Sequence, residues 1–347
     1  MRRRSVALLV ASLTAVTLAA ACGGGGDDGE SETQQTDEPE APPIAPLTGL
    51  PDPDGAAAGR PALSVKVENH PDARPQQGLE AADVVYEEVV EGEITRFLAV
   101  FNSAVPETVG PIRSVRLTDP DIVWPLGGVF AYSGGATPSV EAISQAPVNA
   151  IDESAAGDAM FRDNPRGVDV EHTLYGRGQA LIDKGGEPVP PPALFTYYAE
   201  GEATVGEPVA STRIGFIPGY DPTYTYDAAS RTWLRSYGFE PFTVGAGVQI
   251  APTNVVVQFT DYVGGAGNPT AEGQSVGEGD VWVFTDGKVV RGRWTRPAVE
   301  QPAQYVDAAG APIKLLPGRT WVHLLPIGEA VDVTPGAPAP AVTTTTG

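Results

Sequence analysis

Apolar and polar residues alternate in short runs along most of the chain, the pattern of strands that present one face to a core. ALSVKVEN at 62–69, ADVVYEEVVEGE at 82–93 and ITRFLAVFN at 94–102 read as three strands, the last two joined through Gly92. A tight turn at Val109 to Pro111 leads into IRSVRL, and IVWPLGGVFAYSG at 122–134 reads as a buried strand interrupted by Pro125. TPSVEAISQA at 137–146 predicts a helix with Thr137 as N-cap and Pro138 at the first helical position. A second short helix is expected at 174–184, closed by Gly185 and Gly186.

Proline content rises between Pro188 and Pro208, as at a connection, and the pattern beyond it is almost wholly strand-like. TYTYD and RTWLRSY are separated by a short turn, and NVVVQFTDYV follows. DVWVFTDGKVVRGRW carries Asp286 and Gly287, a two-residue hairpin signal. PIKLLPGRTWVHLLP at 312–326 predicts one more hairpin, turning at Pro317 and Gly318. The expected fold is a mixed α+β or α/β N-terminal domain over 59–200, followed by a mainly antiparallel β domain over 210–334.

The ends of the chain do not fit this pattern. Three arginines (Arg2, Arg3, Arg4), an apolar run from Val6 to Ala21 and then Cys22 form a secretion signal. The apolar run is too short, and too abruptly followed by GGGG and acids, for a spanning helix. LAAAC resembles a bacterial lipobox, so residues 1–21 are expected to be removed and Cys22, the single cysteine, to carry the lipid. The expected site of action is therefore the outer face of the cell membrane in a Gram-positive-type envelope. Residues 22–58 hold nine acids and no base, and are expected to form a solvated tether. PGAPAPAVTTTTG at 335–347 is expected to be disordered.

Composition narrows the chemistry. With 44 acidic against 22 basic residues, the formal charge of −22 excludes a general nucleic-acid binder, which needs a basic face. One cysteine excludes an internal disulfide framework and any cysteine-based zinc cluster. No phosphate loop and no strand–GxGxxG–helix unit occurs, so no cofactor is expected.

Three charged segments interrupt apolar surroundings. In DVVYEEVVEGEITRF, an extended chain would put Glu87, Val89, Glu91 and Glu93 on one face, with residues two apart about 7 Å from each other, within reach of a glycosidase carboxylate pair. In GPIRSVRLTDPD, Arg113 and Arg116 can present guanidinium forks to an anion or pair internally with Glu88, Glu91 or the following aspartates. In MFRDNPRGVDVEHTLYG, Arg166 and His172 stand among acids. His172 points away from Asp169 and Glu171 on a strand, and His70 and His323 are remote in sequence, so no metal site is expected. Ser133 lies in a glycine-rich turn before a helix but has no evident base.

ARPQQGLEAADVVYEEVVEGEITRF at 73–97, GPIRSVR at 110–116, YSGG at 132–135, DGKVVRGRWTR at 286–296 and PGRTWVHLLP at 317–326 resemble the YerB-like family of bacterial lipoproteins. The resemblance covers about residues 46–330 and implies a two-part extracytoplasmic domain without an assigned reaction. Its motifs fall on Arg74, Gln76, Glu87, Glu91, Glu93, Thr95, Arg96, Arg113, Arg116, Ser133, Arg166 and His172. The chain departs from the family where PHN is usual, reading Glu171, His172 and Thr173. The resulting expectation is a binding or assembly factor. Arg96, Arg113, Arg116, Glu87, Ser133 and Arg166 would contact an anionic wall polymer or envelope protein. The competing expectations are an envelope hydrolase using Glu91, Glu93 and His172, and a pure interaction scaffold.

Overall fold

The computed structural model describes residues 43–185, 189–245, 247–265 and 271–337. The expected signal peptide, Cys22, most of the expected tether and the end of the tail lie outside the described residues.

The first part contains β1 (Leu63–Glu68), β2 (Val84–Val90), β3 (Ile94–Phe101), α1 (Asp119–Val123), β4 (Val129–Ala131), α2 (Thr137–Ile143) and β5 (Asn149–Ile151). The second contains β6 (Glu207–Ile214), β7 (Pro222–Asp227), β8 (Thr232–Tyr237), β9 (Asn254–Thr260), β10 (Gly277–Thr285), β11 (Lys288–Arg296) and β12 (Thr320–Pro326). Among the described residues helices are confined to the first part, and the second is mostly antiparallel, as the sequence pattern predicts. The two parts nevertheless share one sheet, ordered β8-β7-β6-β11-β10-β9-β12-β2-β3-β1-β4-β5.

The local hairpins form where turn chemistry dictates them. β2 and β3 pair from Val84↔Val100 to Val90↔Ile94, and Gly92 and Glu93 take positive φ in the turn. β10 and β11 close at Thr285↔Lys288 through Asp286 (φ 49°) and Gly287 (φ 66°), a type I′ geometry. β7 and β8 close at Asp227↔Thr232.

Four expectations are corrected. Residues 312–326 are not a hairpin: Lys314–Leu315 pairs with Thr196–Tyr197, while β12 runs parallel to both β9 and β2. Every residue of β12 is buried, and a strand covered on both faces reads as an unbroken apolar run. The apolar run at 122–134 begins as α1, with Asp119, Pro120 and Asp121 in its first turn, and becomes a strand only at Val129. Helix α2 is capped by Ala136, one residue before the expected Thr137. Leu174–Gly176 is a strand paired with Met160–Arg162, and the helix starts only at Gly178.

Part of the expected tether is also folded. Leu47 and Ala57 are fully buried, Gly318 N–H donates to the Thr48 carbonyl at 2.7 Å, and Asp52 Oδ2 accepts from Ala57 and Ala58 N–H. A few apolar side chains and satisfied backbone groups suffice to dock this acidic segment.

β4 joins β1 in parallel, and Val129 N–H donates to the Ala62 carbonyl at 2.9 Å. Gly128, just before β4, has φ +70°, and a Cβ there would stand 2.2 Å from the same carbonyl oxygen. Gly128→Ala is expected to cost about 1–3 kcal/mol from backbone strain alone, and more from the clash. Urea unfolding would measure it, and a loss below about 0.5 kcal/mol would contradict this packing.

Candidate functional site

Strand alternation sends charge to both faces of β1, β2 and β3, and each face buries it differently. Cross-strand pairing aligns Glu68, Arg96 and Glu88 in one row, with Lys66 two residues behind Glu68 on the same face. Segment 110–116, with α1, closes over this face: Arg113 N–H donates to the Lys66 carbonyl and Ser133 N–H to the Arg113 carbonyl. Lys66 is fully buried between Glu88 and Asp119, its Nζ 2.7 Å from Asp119 Oδ1. Burial, reinforced by the charge of Asp119 and opposed by Lys66, pushes the Glu88 carboxyl up to about 7.

The arginines of this face converge at its solvent end. Arg113 Nε lies 2.6 Å from Glu68 Oε2 and its Nη2 3.4 Å from Glu171. Arg116 and Arg96 share Glu91, Arg96 at 3.3 Å. Burial, aided by Arg116, pulls the Arg96 guanidinium down to about 10. The bonds from Arg116 and the charge of Arg96 outweigh burial at Glu91 and hold its carboxyl below the usual range. Arg113 and Arg116 keep 20% and 14% of their side chains exposed, and Ser114 and Ser133 hydroxyls meet beside them at 3.5 Å. Glu93 is exposed on the β2–β3 turn, apart from this pairing.

Glu87 is corrected as a ligand contact. It points to the opposite face from Glu88 and is completely enclosed, with Oε2 2.9 Å from Arg235 Nη1 and 3.2 Å from His323 Nδ1. Burial alone would raise its carboxyl, but Arg235 and His323 together bring it down to about 2. Tyr224 hydroxyl accepts from Arg235 at 2.6 Å and faces His323 Nε2 at 3.0 Å. Burial pulls His323 down, which favours the neutral ring. The motif residues continue this network: Thr95 hydroxyl donates to Glu87 Oε1, Asn69 donates to Thr95, and Arg74 donates to Asn69 and lies over the Tyr237 ring. Gln76 donates to the Glu68 carbonyl at 2.9 Å.

His172 is buried, its Nδ1 3.0 Å from Glu68 Oε2, and its ring stacks on His70 with centroids 4.9 Å apart. The folded chain thus brings together two histidines that are 102 positions apart in sequence, removing the reason for expecting no metal there. Arg166 lies on an exposed loop, where its Nη1 donates to the Arg74 carbonyl. Lys66, Glu68 and Arg235 were not singled out from sequence, and Asp119 and His323 were noted there without these partners. The usable signal was Lys66 and Glu68 within the apolar SVKVEN and His323 within TWVHLLP.

The geometry defines a two-part α+β protein whose shared sheet carries a separate buried charge network on each face. Residues 47–187 match the domain described as "Protein of unknown function (DUF3048) N-terminal domain", and residues 212–322 match its C-terminal counterpart; the chain belongs to this family. It is 27% identical over 308 residues to a Bacillus subtilis (strain 168) protein named "Putative lipoprotein YerB", covering 84% of this chain and 89% of that one. The crystal structure of the Bacillus subtilis YerB protein matches with a TM-score of 0.71 at 24% identity, over 84% of this chain and 99% of that chain. The fold is thus YerB-like. Among the described residues no helix is long and apolar enough to cross a membrane.

Proposed function

We propose that this protein is a lipid-anchored binding protein of the outer membrane face, without catalytic activity, that holds an anionic envelope ligand at the Arg113–Arg116 rim. The anchor is Cys22, and the lipoprotein name of the YerB relative supports it. One observation carries the binding site: Arg113 and Arg116 are each held by a carboxylate, Glu68 and Glu91, while part of each side chain stays exposed. Guanidiniums fixed in this way have already lost much of their rotamer freedom, so binding a phosphate or carboxylate costs less ordering.

A hydrolase is less well supported, because Glu91 is engaged by two arginines and His172 Nδ1 is committed to Glu68. The same internal pairing favours, as the second reading, a scaffold that binds protein partners without a small ligand. Phosphate-bearing wall polymer is expected to bind the full chain with an affinity that falls steeply with salt. Arg113→Ala and Arg116→Ala are each expected to weaken it by about tenfold, in line with the loss of one charge-assisted contact. Equal binding by both variants would overturn the site, and partner capture unaffected by either would leave the scaffold.

A further inference from the structure

We propose that His70, Asp72 and His172 form a site for a first-row divalent transition metal ion, with Zn2+ as its representative. Each of the three can offer one ligand atom such that the atoms lie within 4.8 Å of one another. Two imidazoles and a carboxylate, with one position left for water or another donor, form a zinc-type set.

The site is anchored on one side and adjustable on the other. His172 is 5% exposed, and its Nδ1 rests against Glu68, itself completely buried. Nδ1 donating to the Glu68 carboxylate would leave Nε2 to meet an ion, the carboxylate–histidine arrangement that orients metal ligands. No hydrogen-bond partner occupies Nε2 among the described residues, and Glu171 Oε1 stands 4.0 Å from it. Glu171 is itself held by Arg113, which sets the charge balance on that side.

His70 and Asp72 sit on the outer side, on a short 3-10 turn over Pro71–Ala73. His70 Nδ1 accepts from Asp72 N–H at 3.2 Å and lies 3.6 Å from Asp72 Oδ2. The two imidazole planes are within 8° of parallel, so His70 must turn out of the stack to aim a lone pair at a shared ion. Its side chain is 38% exposed and that of Asp72 60%, so both are free to swing inward while His172 stays fixed.

Full chain purified in detergent, stripped with a chelator and titrated with Zn2+ in a calorimeter is expected to take up about one ion per chain. His70→Ala changes a half-buried residue and Asp72→Ala an exposed one, so far-UV circular dichroism checks that each variant folds, and each is expected to weaken uptake by about tenfold or more. Glu68→Gln, acting through His172, is expected to cost about 10-fold, as for a second-layer partner. Cobalt loaded in place of zinc should give the intense visible bands of a four-coordinate site, lost in His70→Ala. Absence of uptake near one ion per chain, or uptake unchanged in His70→Ala, would overturn the site. The Arg113 and Arg116 variants do not remove these ligands, so failure of the anion reading and failure of this one are separable.

Discussion

Glu87→Ala is expected to cost the folded state about 3–5 kcal/mol at neutral pH, because it leaves the guanidinium of Arg235 buried without its counter-charge. Arg235 is completely enclosed, with its guanidinium near the rings of Phe97, Tyr237, Phe242 and Trp321. No water can replace Glu87 there without opening this aromatic cage. Replacing both partners at once, Glu87→Leu with Arg235→Met, is expected to recover most of the loss, since no orphan charge remains. Urea unfolding followed by tryptophan fluorescence separates these cases, and a single-variant loss below about 0.5 kcal/mol would contradict the pairing. Because the Glu87 carboxyl lies near 2 in the folded chain, its stabilisation is present above about pH 4.5 and is lost as the pH falls through 2.

Glu88 on the other face behaves in the opposite sense. The folded chain retains its proton up to about pH 7, whereas the unfolded chain releases it near 4.5. Between those values stability is therefore expected to fall with rising pH from this group. Lys66 with Glu88 and Asp119 carries two carboxylates on one ammonium, and Glu88→Gln removes the surplus negative charge while keeping an acceptor for Lys66. The variant is expected to gain stability over wild type as the pH rises from 5 to 7.5. Buried Asp83 and the half-buried Asp121 are also raised by burial, so the difference between variant and wild-type curves is the quantity to measure. Parallel curves would dispose of this assignment.

The legible parts of the fold were those with local causes. The β2–β3, β7–β8 and β10–β11 hairpins rest on turn residues and alternation contained within about twenty positions, and all three form as predicted. β12 was misread because its partners, β2 and β9, lie far away in sequence, and nothing local distinguishes a doubly covered strand from an arm of a Pro-Gly hairpin. The charged residues followed the same logic. Arg96, Arg113, Arg116 and Glu91 were visible as motif residues and do converge. Lys66 and Glu68 looked like the solvent side of an amphipathic strand, because only the tertiary structure lays 110–116 and α1 over them. His70 and His172 meet only after folding, so their spacing in the chain carried no metal signal.

The position of β12 also sets the order in which the molecule can be completed. Its strand lies between β9 and β2, yet its residues, 320–326, come near the end of the chain. Until they arrive, the facing edges of β2 and β9 offer unpaired backbone groups, and the two halves of the sheet have no seam. A strand that closes so late imposes high contact order, slow folding and a window of edge-to-edge association. A chain cut short before Thr320 should therefore aggregate rather than fold as two independent halves, and a chaperone would protect it during that interval.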